Sequence, residues 1–280
     1  MFLRLLKLNE TLFALPFAYS GLLLAYKFID DLELIKIIWI TIAMVGARTF
    51  GMLMNRVIDK QIDSINPRTK DRDLPSGRVK TSSILLIAFF ALIVFIYSAF
   101  MLNKLAFYLS PIVAIYMLIY SYTKRFTWLS SFFLGCVLAT APSGAWIGIN
   151  GSLGFEPVIL SIAVVLWATS FDILYHVQDV DFYSRNKLYS FSARFGVEFA
   201  VKITKLLDIL SVLMLILLGV VAGLSWIYYI GPIIVGYILF YKHRYISYHG
   251  VIVGIQKCFR LNPIVALSIF FSIFASLIVS

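Results

Sequence analysis

The chain has 280 residues, of which 61% are hydrophobic and only 14% charged, and its mean hydropathy is +0.93. No soluble domain buries that much apolar surface, so the composition excludes a water-soluble enzyme and implies a polytopic membrane protein. The net charge of +10 would suit a nucleic-acid binder, but its distribution follows membrane topology and makes nucleic acid an improbable partner.

Met1 to Lys7 has no small-residue cleavage site after it and runs into an apolar span, so a cleaved signal peptide is not expected. Apolar runs predict nine helices at roughly 10–29, 34–60, 81–101, 104–122, 127–149, 156–179, 199–221, 225–241 and 261–279, each long enough to cross about 30 Å at 1.5 Å per residue. With that assignment, 20 of the 24 Lys and Arg fall on one side; Lys27, Lys36 and Lys104 lie on the other, and Arg48 lies inside the second span. The positive-inside rule then puts the N-terminus in the cytoplasm. No polar stretch is long enough to fold by itself, so residues 1–280 are expected to form one all-helical membrane domain. Cys136 and Cys258 have no metal-ligand spacing and are expected to be free packing thiols.

The second span ends on Asn55, Asp59 and Asp63, spaced four apart. Steps of four keep side chains on one slowly drifting helical face, so these residues present a column of hard oxygen ligands. Such a column suits Mg²⁺, which usually takes a few protein oxygens plus waters and substrate phosphates. Arg48 lies seven residues earlier, two turns deeper on that face, and needs an anionic partner. Asp172 on the sixth span, or a substrate anion, would each meet that need. The segment from 61 to 80 carries Arg68, Arg72 and Arg78, with Arg56 just before it. Guanidinium groups there would bind diphosphate oxygens bidentately, although a basic loop alone is more often topological charge. Tyr120, Tyr122, Lys124 and Arg125 add a second basic cluster after the fourth span.

The sixth span closes with Asp172, Tyr175 and Asp179 on one face, followed by Asp181. A helix cap or an interfacial ion pair would explain one such carboxylate. Acidic faces on two separate spans, with an intramembrane arginine, point to a metal or anion site. His176 falls among these carboxylates but at neighbouring angles, and is expected to pack. The sequence shows no Ser/His/Asp set, phosphate-binding glycine loop or redox cysteine pair. Asp179 and Asp181 would point about 200° apart on a continuous helix, so both reach one metal cluster only if the helix ends near Val180.

These residues resemble the UbiA-type family of intramembrane aromatic prenyltransferases over almost the whole chain. Leu12 to Ala18 is similar to the family's opening helix. Gly46 to Met52 leading into Asn55-Arg56-x-x-Asp59-x-x-x-Asp63 is similar to its first Asp-rich motif. Asn66-Pro67-Arg68-Thr69, Leu74-Pro75-Ser76-Gly77-Arg78, Tyr122-Thr123-Lys124-Arg125, Ala141-Pro142, Asp172-x-x-Tyr175 and Ala193-Arg194-Phe195-Gly196 match in order. Within the family the resemblance is to 4-hydroxybenzoate polyprenyltransferases and their menaquinone-pathway relatives.

The resemblance implies a nine-helix bundle around a central cavity, open to the cytoplasm at the cell membrane. It implies Mg²⁺ ions bridging Asn55, Asp59, Asp63, Asp179 and Asp181 to a polyprenyl diphosphate. Arg56, Arg68, Arg72, Arg78, Arg125, Tyr122 and Tyr175 would contact substrate, and Lys124 would aid the leaving diphosphate. Asp172 would orient the phenol or accept a proton, and Arg48 would hold the carboxylate of a small aromatic acid. The chain departs from the family at Tyr183, where a second carboxylate usually stands, and Asp181 is the candidate replacement. Rival acceptors are a naphthoate, a homogentisate or an archaeal glycerol-phosphate lipid. A cation transporter is the rival from another class, since intramembrane carboxylates also mark ion paths.

Overall fold

The computed structural model describes residues 8–27 and 33–279, with side chains described from Ala14 onward. Met1 to Lys7 and the signal-peptide question lie outside them. Every regular element among the described residues is helical. In chain order these are α1 (Leu8–Tyr26), α2 (Leu34–Ile58), α3 (Lys60–Ile65), α4 (Thr81–Leu102), α5 (Lys104–Thr123), α6 (Ser130–Asn150) and α7 (Phe155–His176). A 3₁₀ turn (Val177–Asp179) leads to α8 (Val180–Arg185), α9 (Phe191–Phe195) and α10 (Val197–Val221). A second 3₁₀ turn precedes α11 (Ile230–His249), then follow α12 (Val251–Cys258), a third 3₁₀ turn and α13 (Asn262–Val279).

Among the described residues seven helices are long and apolar enough to cross a membrane: α2, α4, α5, α6, α7 with its continuation to Arg185, α10, and Val251–Val279. Ala14–Tyr26 is a shorter apolar helix. The eighth expected span, placed at 225–241, is α11, which runs on to His249 through Lys242, His243 and Arg244. The sixth, expected to reach 179, loses its α-helical path at His176.

The described residues form two compact units, one built on Glu33–Tyr122 and the other on Thr123–Ser280 with most of α1. In the first, α2 and α4 pack backbone against backbone. A Cβ at Gly46 would stand 3.0 Å from the Phe95 nitrogen and 3.1 Å from the Ala91 carbonyl oxygen. Lipid offers helices little hydrophobic reason to associate, so small residues at the crossing supply the contact. The outward side of α4 carries exposed Leu86, Phe89, Phe90 and Phe100, as a lipid-facing surface should.

In the second unit α7 is the most buried of the apolar helices and packs against both α6 and α10. Gly135 brings α6 so close that a Cβ would meet the Val165 carbonyl oxygen at 2.7 Å. Pro142 lies inside α6, and Gly21 of α1 fits against it: a Cβ there would fall 2.1 Å from the Pro142 carbonyl oxygen. Tyr228 is fully buried and donates its hydroxyl hydrogen to the Leu215 carbonyl, 2.7 Å away. Cys136 and Cys258 are both free thiols, half-buried and buried.

Because α1 meets α6 at backbone rather than at a yielding side chain, Gly21→Leu should force the two helices apart. The expected destabilisation is about 1–3 kcal/mol, the usual penalty of overpacking, read as a lower thermal unfolding midpoint in detergent. A variant as stable as the parent would show that this crossing is not tight.

Candidate active site

In the first unit Asn55, Asp59 and Asp63 lie on either side of a change in the helix. α2 stops at Ile58, Asp59 sits at the joint with φ −90° and ψ 2°, and α3 resumes at Lys60. The backbone ladder still runs through: the Asp59 nitrogen donates to Asn55 oxygen at 2.9 Å, and Asp63 nitrogen to Asp59 oxygen at 2.7 Å. Asn55 Nδ2 donates to Asp59 Oδ2 at 3.0 Å and to Ser121 Oγ of α5 at 3.4 Å. The amide nitrogen thus braces the carboxylate, and the amide oxygen remains as a ligand. Asp59 is 3% exposed.

Asp63 has a different environment. Its Oδ2 takes Arg72 Nη1 at 2.8 Å, with Arg56 Nη1 at 3.9 Å. Arg78 is likewise held within its own loop, by Asp73 Oδ1 at 2.8 Å and by the Asp71 carbonyl. Two of the arginines expected over a diphosphate therefore pair with acids close in sequence, Asp63 of α3 and Asp73 of the following loop. Asn66 Oδ1 accepts from the Arg68 nitrogen at 2.9 Å and shapes the turn, while the Arg68 side chain is exposed. Arg48 is half-buried on α2 beside buried Ala47 and Phe50.

In the second unit Asp172 is 6% exposed on α7. His176 is not mere packing, contrary to the sequence expectation. Its Nδ1 lies 3.2 Å from Asp172 Oδ2 and 3.0 Å from the Asp172 carbonyl oxygen. The i, i+4 spacing on one helix was the available signal. Lys124 is near enough to act on both groups electrostatically. Its carbonyl accepts the Tyr189 nitrogen at 2.8 Å, tying the segment after α8 to the basic stretch after α5. Tyr175 packs its ring on Phe259, 5.4 Å between centroids. Arg125 is half-buried and Tyr122 exposed.

The helix ends at His176, three residues earlier than the sixth span was expected to reach, and resumes as α8. Asp179 is buried, Asp181 exposed, and Tyr183 buried with its ring 5.5 Å from that of His176. Where the family's second carboxylate would stand, the chain thus has an inward phenol.

Among the described residues no three His, Cys, Asp or Glu side chains gather closely enough to hold a metal by themselves. The donors present still fit Mg²⁺. A buried carboxylate with an adjoining amide oxygen suits an ion that takes one or two carboxylates and completes its shell with water and phosphate.

The sequence model of the UbiA prenyltransferase family matches residues 14–262. The chain belongs to the UbiA prenyltransferase family. The 4-hydroxybenzoate octaprenyltransferase of Marinobacter nauticus is 31% identical over 231 residues, covering 82% of this chain and 78% of that protein. The protein of the same name in Francisella tularensis subsp. mediasiatica is 27% identical over 90% of this chain and 87% of its own. A UbiA homologue from Aeropyrum pernix K1, solved in its apo form, superposes with a TM-score of 0.87 at 28% identity over 96% of this chain and 98% of its own. A homologue from Archaeoglobus fulgidus, solved with DMAPP and Mg²⁺, shares the fold with a TM-score of 0.73 at 17% identity, over 97% of this chain and 98% of its own.

The contrast between buried Asp179 and exposed Asp181 gives a direct comparison. Asp179→Asn should lower turnover by more than about tenfold, and Asp181→Asn by less than about threefold, in a Mg²⁺-titrated assay. Equal losses would place Asp181 in the site.

Proposed function

We propose that this UbiA-family protein transfers a polyprenyl group from an isoprenyl diphosphate to 4-hydroxybenzoate, with Mg²⁺, in quinone-type lipid biosynthesis. The observation that carries the proposal is half-buried Asn55 bracing buried Asp59 where α2 gives way to α3, a pair of oxygen donors that suits Mg²⁺ completed by water and phosphate. The names of the Marinobacter and Francisella relatives support the acceptor. The A. fulgidus homologue, solved with DMAPP and with GPP together with Mg²⁺, supports the donor class and the metal.

In this proposal the whole chain is one catalytic domain of nine spans in the cell membrane, N-terminus and site towards the cytoplasm. Asn55, Asp59 and Asp179 would hold Mg²⁺, with Asp63 and Asp181 as the remaining candidate ligands. Mg²⁺ bound there would screen the diphosphate and make it a better leaving group. Arg72 and Arg78 exchange their carboxylate partners for diphosphate oxygens, Arg56, Arg68 and Arg125 add further guanidinium groups, and Lys124 adds a point charge beside the leaving group. The allylic C–O bond breaks, with its electron pair leaving on the diphosphate. A ring π pair then closes the new C–C bond, and the ring carbon gives up its proton to water. Asp172 accepts a hydrogen bond from the acceptor's phenol and so enriches the ring in electrons. Arg48 pairs with the acceptor carboxylate, and Tyr122 and Tyr175 border the substrates.

The test is a mass-spectrometric product screen crossing prenyl diphosphates of several lengths with 4-hydroxybenzoate, a naphthoate, homogentisate and a glycerol-phosphate lipid. A prenylated 4-hydroxybenzoate is expected; product from another acceptor alone would overturn that part. Activity should vanish with excess chelator and return with Mg²⁺ or Mn²⁺, because the donors are all hard oxygens. Asp59→Ala should leave less than about a tenth of parental activity, a barrier increase of at least about 1.4 kcal/mol. More activity than that in a folded variant would remove Asp59 from the mechanism.

A further inference from the structure

Away from these residues the second unit buries another set of charges. Asp208 stands in the middle of α10, 3% exposed, and Lys242 on α11 is 6% exposed. Lys242 Nζ meets Asp208 Oδ2 at 2.6 Å, and His243 Nε2 reaches the same oxygen at 2.6 Å. Lys242 also donates to Ser170 Oγ of α7 at 3.2 Å. Ser170, itself fully buried, donates to the Thr204 carbonyl oxygen of α10 at 3.3 Å. Three helices are therefore joined at one level by a carboxylate, an ammonium group and a hydroxyl. Apolar residues would join them equally well. An intramembrane ionisable pair of this kind calls for a role.

Ser170 and Asp172 are two residues apart on α7, about 200° around its axis. The charged group thus grips the back of the helix that presents Asp172 on its front. A turn of α7 by about 10° would move a side-chain atom roughly 6 Å from the axis by about 1 Å, and a misplacement of that size can cost about a hundredfold in rate. We infer that Asp208 and Lys242, acting through Ser170, are positioning residues that fix the rotation of α7 and hence the place of Asp172. The inference rests on the role of Asp172 at the acceptor proposed above. The rotation passes rigidly to Asp172 within α7, whereas Asp179 lies past the end of α7, as the last residue of the 3₁₀ turn Val177–Asp179. Disturbing the grip should therefore affect the acceptor step and spare diphosphate binding.

The experiment uses the full chain in detergent with geranyl diphosphate, 4-hydroxybenzoate and Mg²⁺, and compares Ser170→Ala, Lys242→Met and the double variant. Lys242→Met should lower kcat per folded molecule by about tenfold or more, while KM for geranyl diphosphate moves less than about threefold. Ser170→Ala should lower kcat in the same direction, and the double variant should be no slower than Lys242→Met, because both remove one contact. A purely structural pair would reduce the yield of folded protein and leave kcat and both KM values untouched; that result overturns the inference. If Lys242→Met does not fold, Ser170→Ala decides alone, and an unchanged kcat there overturns it. A parent protein that prenylates no acceptor would instead defeat the function proposal. The lock is then scored by amide hydrogen exchange along α7, where protection in Ser170→Ala equal to that of the parent overturns it.

Discussion

An ionised side chain placed in a bilayer has to find its counter-charge inside the protein, at a penalty of about 2.5–3.5 kcal/mol or more if it fails. That requirement organises this molecule more than any apolar contact does. Asp63 is met by Arg72 and Arg56 and Asp208 by Lys242, while the rings of His176 and His243 place a nitrogen beside Asp172 and Asp208. The small residues at Gly46, Gly135 and Gly21 set how near the helices come, and the Asp208–Lys242 pair links α10 to α11.

The two helices that carry the acidic motifs are both interrupted at the motif. α2 breaks at Asp59 and α7 changes to a 3₁₀ turn over Val177–Asp179. A straight helix presents carboxylates on a fixed spiral, whereas a break lets neighbouring acids take different environments. Asp59 is braced by an amide while Asp63 is clamped by guanidinium groups, although they are four residues apart on the same chain segment. One helix end can thus offer both a ligand for a cation and a reserve of arginine for an anion.

Much of this was legible in the sequence. The apolar runs gave the helices, the four-residue spacing gave the Asn55–Asp59 contact, and the family followed from ordered motifs. Partnerships set by tertiary contacts were not legible. Lys242 reads as a cytoplasmic charge beyond a span ending at 241; the helix instead continues to His249 and buries the lysine against a carboxylate 34 residues earlier in the chain. No local pattern pairs α10 with α11 in that register. His176 was set aside because its angle differs from that of Asp172 and Asp179, yet a single turn brings its ring to the Asp172 carboxylate. The arginines of the 61–80 loop were read as waiting for phosphate, because spacing shows what a guanidinium could bind and not which acid reaches it first. The early end of α7 had no proline or glycine to announce it.

The contact between Gly21 and Pro142 joins one of the first helices made to one made much later. At about 5–20 residues per second, the ribosome needs on the order of ten seconds to reach Pro142 after Gly21 has been added. Through that interval α1 lies in the bilayer without its partner, while the whole of Glu33–Tyr122, a separate compact unit, is synthesised and inserted. The Gly21–Pro142 contact cannot form until both residues have been made, so translation sets the earliest moment at which this crossing can close. Any delay in insertion of the helices from α2 to α5 prolongs the exposure of a glycine-notched helix to other chains in the same membrane.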